Sequence, residues 1–417
     1  MLKIITAIIV LLYLVNCCTP LRLHVDMLRY FAIKDCIELG CPPDSDAAKD
    51  YMPVGYTALL LAFSKLGILK SYTIVLVNCI YLFAGLWLVI KMFRGTIHPY
   101  FFLALVLLNW TVIKFVTHPL SEMQYLFFST ASVFLFYRFT QDRRLWMLLG
   151  SFVMGGLAFL TRSVGIALFA ALVTGLLWQY RKELILLVRK NKILVLLVVL
   201  AGIGVVVFSK TLGLNHYTGV FSKQKQEGLS FGVTLKGHFI EWTEIGANLS
   251  IAKVSNYLHA APLLFTLVGI GLLVAFLFIL LFRSPKVPFI VKAYLIWYSL
   301  LMFNWPFYDP RFWVPVLPLI AAVLAQYFGK VRTGQVSTAR PGQGWLRMVV
   351  FSVYFLLGIA SVGYLTYTSL NRKVFARTQA NGVYRAEYET FFFGKPQEEG
   401  LRQADPNIVD ILRRYDR

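Results

Sequence analysis

Charged side chains are scarce in this chain of 417 residues. Only 15% of the residues are Asp, Glu, Lys or Arg, whereas 58% are hydrophobic. A soluble domain exposes far more charge than this, and apolar runs long enough to cross a bilayer recur along the sequence. The composition therefore excludes an ordinary soluble domain and predicts a polytopic membrane protein.

Acidic residues are the rarer of the two signs. The chain has 20 Asp and Glu against 41 Lys and Arg, which gives a formal net charge of +21. A basic excess can indicate nucleic-acid binding. In membrane proteins it reflects short cytoplasmic loops and anionic lipid headgroups, so we expect the bilayer as a partner and no nucleic acid.

Motifs of nucleotide and metal sites are also absent. The sequence has no Rossmann glycine fingerprint, no P-loop, no zinc-like Cys/His spacing and no internal repeat of the kind that many transporters carry. We predict no cofactor, and the need for a divalent metal stays open, although no paired-acid motif supports one. Of the five cysteines, Cys36 and Cys41 lie in the first loop, and whether they form a disulfide stays open.

Apolar runs predict an all-α integral membrane bundle of about eleven transmembrane helices. The N-terminal run also resembles the core of a signal peptide, but the residues after it lack a small-residue cleavage site, so we take it as the first span. The runs lie at 2–18, 72–90, 98–115, 119–137, 145–161, 163–180, 193–209, 260–282, 288–306, 311–328 and 348–368.

Basic residues between these runs orient the bundle, because short basic loops face the cytoplasm. All of them face inward only if the interrupted run Tyr51–Leu69 lies on the outer surface or re-enters without crossing. This topology makes 19–71 a first outer loop with surface helices and 210–259 a large outer loop. We expect one transmembrane domain, 1–368, and a C-terminal tail, 369–417, on the outer face.

Four charged clusters then share the outer face. They are His24–Phe31, Thr117–Glu122, Thr161–Ser163 and Asp309–Arg311. Ionisable groups at a bilayer are costly and usually have a role or a partner. Carboxylates supply general bases, and guanidinium groups bind phosphate through two parallel hydrogen bonds. The clusters therefore predict one site for a lipid-linked phosphate.

Five local patterns carry a resemblance to a known family. They are Asp26 with Tyr30, the stretch Asp50–Tyr56, Ser121-Glu122 at the start of a span, Gly156–Arg162 between two spans and, more loosely, Arg311–Pro318. Their order and spacing resemble the GT-C membrane glycosyltransferases, such as protein O-mannosyltransferases and the aminoarabinose transferase of lipid A. The resemblance covers about 1–190 well and 305–330 loosely. Met27 departs from it, since many relatives carry a second acid there, and Pro53 lacks the usual second proline.

The resemblance implies transfer of a sugar from a polyprenyl-phosphate-linked donor to an acceptor hydroxyl of a glycan, glycolipid or protein. It implies a multi-pass protein of a prokaryotic plasma (inner) membrane, with its active site on the outer, periplasmic face. The implied site residues are Asp26 as base with Glu122 and Asp50 as further catalytic acids, Arg162, Arg311, Arg29 and His118 for the donor phosphate, and Tyr30 and Tyr56 for substrate.

Two other functions stay open. An oligosaccharide polymerase or ligase acting on polyprenyl-linked sugars would usually concentrate its arginines in one late outer loop. A lipid-glycan flippase or transporter would move substrate without transferring sugar. At the level of single residues, Arg162 and Arg311 could merely snorkel, Glu122 could cap its helix dipole, and His118 could be an interface histidine. The sequence does not identify the sugar or the acceptor.

Overall fold

The computed structural model describes residues 2–50, 52–182, 230–250, 261–329, 341–378, 383–395 and 402–416. Within these ranges the chain is all-helical, as predicted. Its helices are α1 Leu2–Val15, α2 Val25–Leu39, α3 Val54–Lys65, α4 Ser71–Met92, α5 Pro99–Leu107, α6 Trp110–Val116, α7 Glu122–Asp142, α8 Leu145–Thr161, α9 Ile166–Gln179, α10 Phe231–Ala247, α11 Ala261–Phe278, α12 Phe289–Phe303, α13 Leu317–Gly329, α14 Pro341–Leu370, α15 Arg372–Thr378, α16 Arg385–Phe393 and α17 Pro406–Tyr415. The predicted span 193–209 and most of the loop 210–259 lie outside the described residues.

Three of the described helices are each long and apolar enough to cross a membrane alone: Ser71–Met92, Pro262–Arg283 and Arg347–Leu370. Several shorter apolar helices accompany them.

On α8, the exposed residues Leu149 and Val153 stand four positions apart on one face. A water-facing helix would carry polar residues there, so this apolar stripe suits contact with lipid.

The predicted span 98–115 is wrong as a single helix. The structure divides it into α5 and α6, which meet at an angle of 67°. Asn109 causes the break, because its side chain accepts the Thr111 N–H at 3.1 Å and caps α6. Its amide also donates to the Ile245 carbonyl at 3.0 Å. One polar residue in an apolar run thus ends one helix and starts another.

The two ends of the first loop lie next to each other, because the Ser71 hydroxyl donates to the Thr19 carbonyl at 3.0 Å.

Within the first loop, α3 packs on the end of α8. A Cβ at Gly55 would lie 2.7 Å from the Leu160 carbonyl oxygen, so only glycine allows this approach. Cys36, near the end of α2, forms a disulfide with Cys41, just after the helix, and their Cα atoms are 4.9 Å apart. The sequence had left open whether these two cysteines are bonded.

The C-terminal helices pack against the first loop. The Tyr388 hydroxyl donates to the Leu21 carbonyl and accepts the Leu23 N–H, both at 2.6 Å. The Lys34 ammonium donates to the Tyr415 hydroxyl at 2.9 Å. The tail and the first loop therefore lie at the same end of the bundle.

Candidate active site

A cavity of about 390 Å³ lies at the end of the bundle that carries the first loop. Segments far apart in the sequence line it, and each contributes polar or charged groups. The lining includes Asp26, Arg29 and Tyr30 of α2, Ser121 and Glu122 at the start of α7, Arg162 after α8, and Asp309 and Arg311 after α12. All four charged clusters of the sequence reach its wall.

Helix ends place these side chains. Glu122 is the first residue of α7, and Arg162 follows the last residue of α8 in extended conformation. Asp309 caps the short 3₁₀ turn Pro310–Trp313 by accepting the Arg311 N–H at 2.9 Å. His24 caps α2 by accepting the Asp26 N–H at 3.1 Å. Because the charges sit at helix termini, apolar helices can bring them together without burying charge along their length.

Asp26 and Arg311 form the central ion pair of the cavity. Arg311 Nη2 lies 2.5 Å from Asp26 Oδ2, and its Nε lies 3.2 Å from Asp309 Oδ2. Burial alone would raise the pKa of Asp26, but the Arg311 charge lowers it below its usual value. Asp26 is therefore ionised at neutral pH, as a general base must be.

Glu122 and Arg162 form a second, more deeply buried pair. The Glu122 side chain is 1% exposed, and its Oε1 accepts a hydrogen bond from Arg162 Nη1. Among the described residues, Glu122 Oε2 has no hydrogen-bond partner. Arg162 also reaches Ser121 through Nη1, at 3.4 Å, whereas its Nε and Nη2 donate to none of the described residues. Arg162 therefore brings to the cavity wall N–H groups that none of the described residues accepts from, while Glu122 Oε2 is buried behind it.

Arg29 is held by Asp50 through two hydrogen bonds, of 2.8 and 2.7 Å. Asp50 also accepts the Met52 N–H at 2.9 Å, and it is not part of the cavity wall. The structure thus gives Asp50 the position of a support for Arg29. The catalytic role of Asp50 stays a prediction.

Of the two tyrosines and the histidine predicted for the site, only one tyrosine lines the cavity. The Tyr30 hydroxyl lies on the cavity wall, 3.0 Å from Ser121 Oγ, whereas Tyr56 packs behind it with ring centroids 4.9 Å apart. His118 also lies off the wall, with Nδ1 2.8 Å from the Lys114 carbonyl. Burial and the nearby Arg22 charge lower the pKa of His118 well below its usual value. Its neutral ring is poorly suited to the predicted role at a phosphate.

Sequence reasoning missed part of the wall. Asp309 belongs to a predicted cluster but was assigned no role, and an aromatic group that also lines the cavity was not predicted: Tyr298, Trp305, Phe307, Tyr308 and Phe312. The signal was present, since 305–313 carries five aromatic residues around Asp309-Pro310-Arg311 outside any long helix. Within the described residues, no group of three or more His, Cys, Asp or Glu side chains could hold a metal ion. The absence of a cofactor stays a prediction.

Fold and cavity together define a helical membrane protein with a charged pocket at one end of its bundle. No protein-family model and no curated protein matches the chain. Among solved structures, it is similar to ArnT from Cupriavidus metallidurans bound to undecaprenyl phosphate, with 14% identity and a TM-score of 0.46. The match covers 92% of this chain and 67% of that chain.

Proposed function

We propose that this protein transfers a sugar from a polyprenyl-phosphate-linked donor to an acceptor hydroxyl. One observation carries the proposal: Asp26 shares a single cavity with Arg29, Arg162 and Arg311, although the four residues come from three distant parts of the chain. A base beside a group of guanidinium ions is what attack on a phosphate-linked sugar needs.

The arginines are suited to the leaving phosphate. In the donor the phosphate is a diester with one negative charge, and it leaves as a monoester that gains a second charge. Arg162 is the best placed partner, because its Nε and Nη2 donate to none of the described residues while Glu122 holds the group still. Fixed cations stabilise developing charge without reorganising during the reaction.

Asp26 accepts the proton in this mechanism. The acceptor oxygen forms a bond to the anomeric carbon, and the bond from that carbon to the phosphate oxygen breaks. The hydroxyl proton passes to the Asp26 carboxylate, and the bonding electrons leave with the polyprenyl phosphate. Glu122, whose Oε2 has no partner among the described residues, would orient the acceptor or the sugar.

The Asp26–Arg311 pair predicts a pH effect. Arg311→Gln removes the charge that does most to hold the pKa of Asp26 below its usual value, and the burial of Asp26 then raises this pKa. The base is active only when ionised, so the acidic limb of kcat/KM should move to higher pH in the variant. A profile measured from about pH 4 to pH 8 checks this.

The control for this profile is Arg138→Gln, which removes an arginine paired with Asp142 at the opposite end of α7. Its acidic limb should stay with that of the wild type. An acidic limb that is unmoved in Arg311→Gln would contradict the role of Arg311 in setting the state of Asp26.

The test of the function itself uses the purified protein in nanodiscs, a polyprenyl-phosphate sugar and envelope extracts as acceptor. Release of polyprenyl phosphate together with a labelled product supports the proposal. Movement of the lipid across a vesicle bilayer without release of the phosphate would instead identify a flippase. Products that grow by repeating units would identify a polymerase.

We further propose that the cavity faces the outer side of a prokaryotic plasma membrane, in a bundle of about eleven spans. The contact between Ser71 and Thr19 supports a first loop that does not cross. Lys65→Cys and Asp46→Cys should then both react with an impermeant thiol reagent in intact cells, while Arg138→Cys is protected. Protection of Lys65→Cys beside labelling of Asp46→Cys would show that α3 crosses the membrane.

A further inference from the structure

His238 and Glu241 form a buried pair that the proposed mechanism does not use. Their side chains, on α10, are 1% and 2% exposed, and His238 Nδ1 lies 2.9 Å from Glu241 Oε2. Neither residue lines the cavity. Burying two ionisable groups is costly, so their presence in an otherwise apolar contact calls for a partner that needs them.

The partners are the two ends of the segment 305–313. His238 Nε2 lies 2.8 Å from the Trp305 carbonyl, and the Trp313 indole N–H donates to Glu241 Oε2 at 2.7 Å. This segment carries both Asp309 and Arg311. The pair therefore connects α10 to both ends of the loop that forms one wall of the cavity.

The hydrogen-bond partners determine how many protons the pair holds. A carbonyl only accepts and an indole N–H only donates, so His238 Nε2 carries hydrogen and Glu241 Oε2 accepts from Trp313. The contact between His238 Nδ1 and Glu241 Oε2 then requires one further proton between them. Burial opposes charge on His238, but Glu241 raises the pKa of this histidine above its usual value.

Packing in the same region leaves little room for the segment to move. A Cβ at Gly237 would lie 2.4 Å from the Tyr308 ring, so α10 approaches the loop closely. The Trp242 and Trp313 rings pack with centroids 5.1 Å apart. On the far side, Arg311 Nε lies 3.2 Å from Asp309 Oδ2 within the segment. Arg311 Nη2 lies 2.5 Å from Asp26 Oδ2, and this contact joins the segment to the ion pairs of the cavity.

We infer that His238 and Glu241 are positioning residues, which hold the segment 305–313 and thereby set Asp309 and Arg311 in the cavity. The expected consequence for the donor phosphate rests on the proposed function, whereas the effect on the segment does not. Placement within about 0.5 Å is what a preorganised site requires of its supporting residues.

Glu241→Gln tests this with almost no change in shape. Without the carboxylate charge, burial favours a neutral His238 ring, whose Nε2 still donates to the Trp305 carbonyl and whose Nδ1 then only accepts. No single atom of the amide can both donate to this Nδ1 and accept from the Trp313 indole. Hydrogen exchange of the full-length protein in nanodiscs should therefore speed up by about tenfold in 305–313, with α4 unchanged. The KM for donor should rise by about tenfold, with a smaller change in kcat.

Lys236→Gln is the matched control, because it removes an exposed charge from the same helix. The double variant His238→Phe with Glu241→Leu guards against a folding defect, since it leaves neither partner buried alone. It should still speed exchange in 305–313, because the contacts of the Trp305 carbonyl with His238 and of the Trp313 indole with Glu241 are lost.

Unchanged exchange in 305–313 in both Glu241→Gln and the double variant would overturn the inference, whatever the protein does with lipid. Faster exchange across every helix would overturn it too, because it would indicate general stabilisation and no local role. If the wild type ignores polyprenyl-phosphate sugars, the proposed function fails, and the exchange result alone decides whether the pair holds the segment.

Discussion

Asp26→Asn is expected to lower the turnover of sugar transfer by at least about 100-fold, because a general base contributes roughly 10²–10⁴-fold. The amide keeps the size of the side chain and an oxygen that accepts from Arg311, 2.5 Å away in the wild type. It cannot take a proton from the acceptor hydroxyl. Donor binding and expression should therefore survive while transfer is lost.

Two measurements on the same preparation separate catalysis from structure: the initial rate of transfer and the affinity for polyprenyl phosphate. Asp46→Asn, an exposed acid in the same loop, is the control and should behave as the wild type. Near-normal transfer by Asp26→Asn would reduce Asp26 to a partner of Arg311. Glu122 would then be the next candidate, because Asp50 is already committed to Arg29.

Arg162→Ala is expected to weaken the binding of polyprenyl phosphate by about 10- to 100-fold. A hydrogen bond to a charged group contributes about 1.5–3 kcal/mol, which corresponds to this range. The change also removes the nearer of the two cations beside Glu122, which is 1% exposed, and leaves only Arg311, whose Nε is 3.9 Å from Glu122 Oε1. Breaking a buried pair in this way costs about 3–5 kcal/mol, so the thermal stability should fall as well.

Arg162→Lys separates the two effects of Arg162→Ala. The ammonium keeps a charge beside Glu122, so stability should return, but the fork geometry that suits phosphate is lost and affinity should recover only in part. Arg138→Ala, at the far end of α7, is the control for loss of one positive charge. Wild-type affinity in a folded Arg162→Ala protein would contradict the phosphate role and leave Arg162 as a support for Glu122.

Sequence reasoning could predict the gathering of charges because it used the membrane as a constraint. Acids and arginines that follow apolar runs lie at helix ends, and loops on one side of a bundle must meet. This is why Asp26, Glu122, Arg162 and Arg311 share a cavity in the structure. The side of the membrane on which each loop lies is enough to bring these residues together, whatever the detail of the helix packing.

Contacts within the loops could not be predicted from the sequence. Nothing in the spacing of Arg29 and Asp50 indicates that they bond to each other, since the pairing depends on how α2 and the next turn fold. The family resemblance implies His118 and Tyr56 as site residues, yet neither lines the cavity, since His118 contacts the Lys114 carbonyl and Tyr56 packs against Tyr30. The Asn109 break was missed because an apolar run hides a single capping residue.

In the proposed function, this protein transfers one sugar to an envelope acceptor and uses Asp26 as the base. Mass spectrometry of envelope glycans and glycolipids tests it most directly, in cells that carry the intact gene, a deletion or Asp26→Asn. The proposed function predicts that one component loses the mass of a single sugar in both the deletion and the Asp26→Asn cells, while the polyprenyl-phosphate sugar accumulates. Identical profiles in the three strains would contradict it.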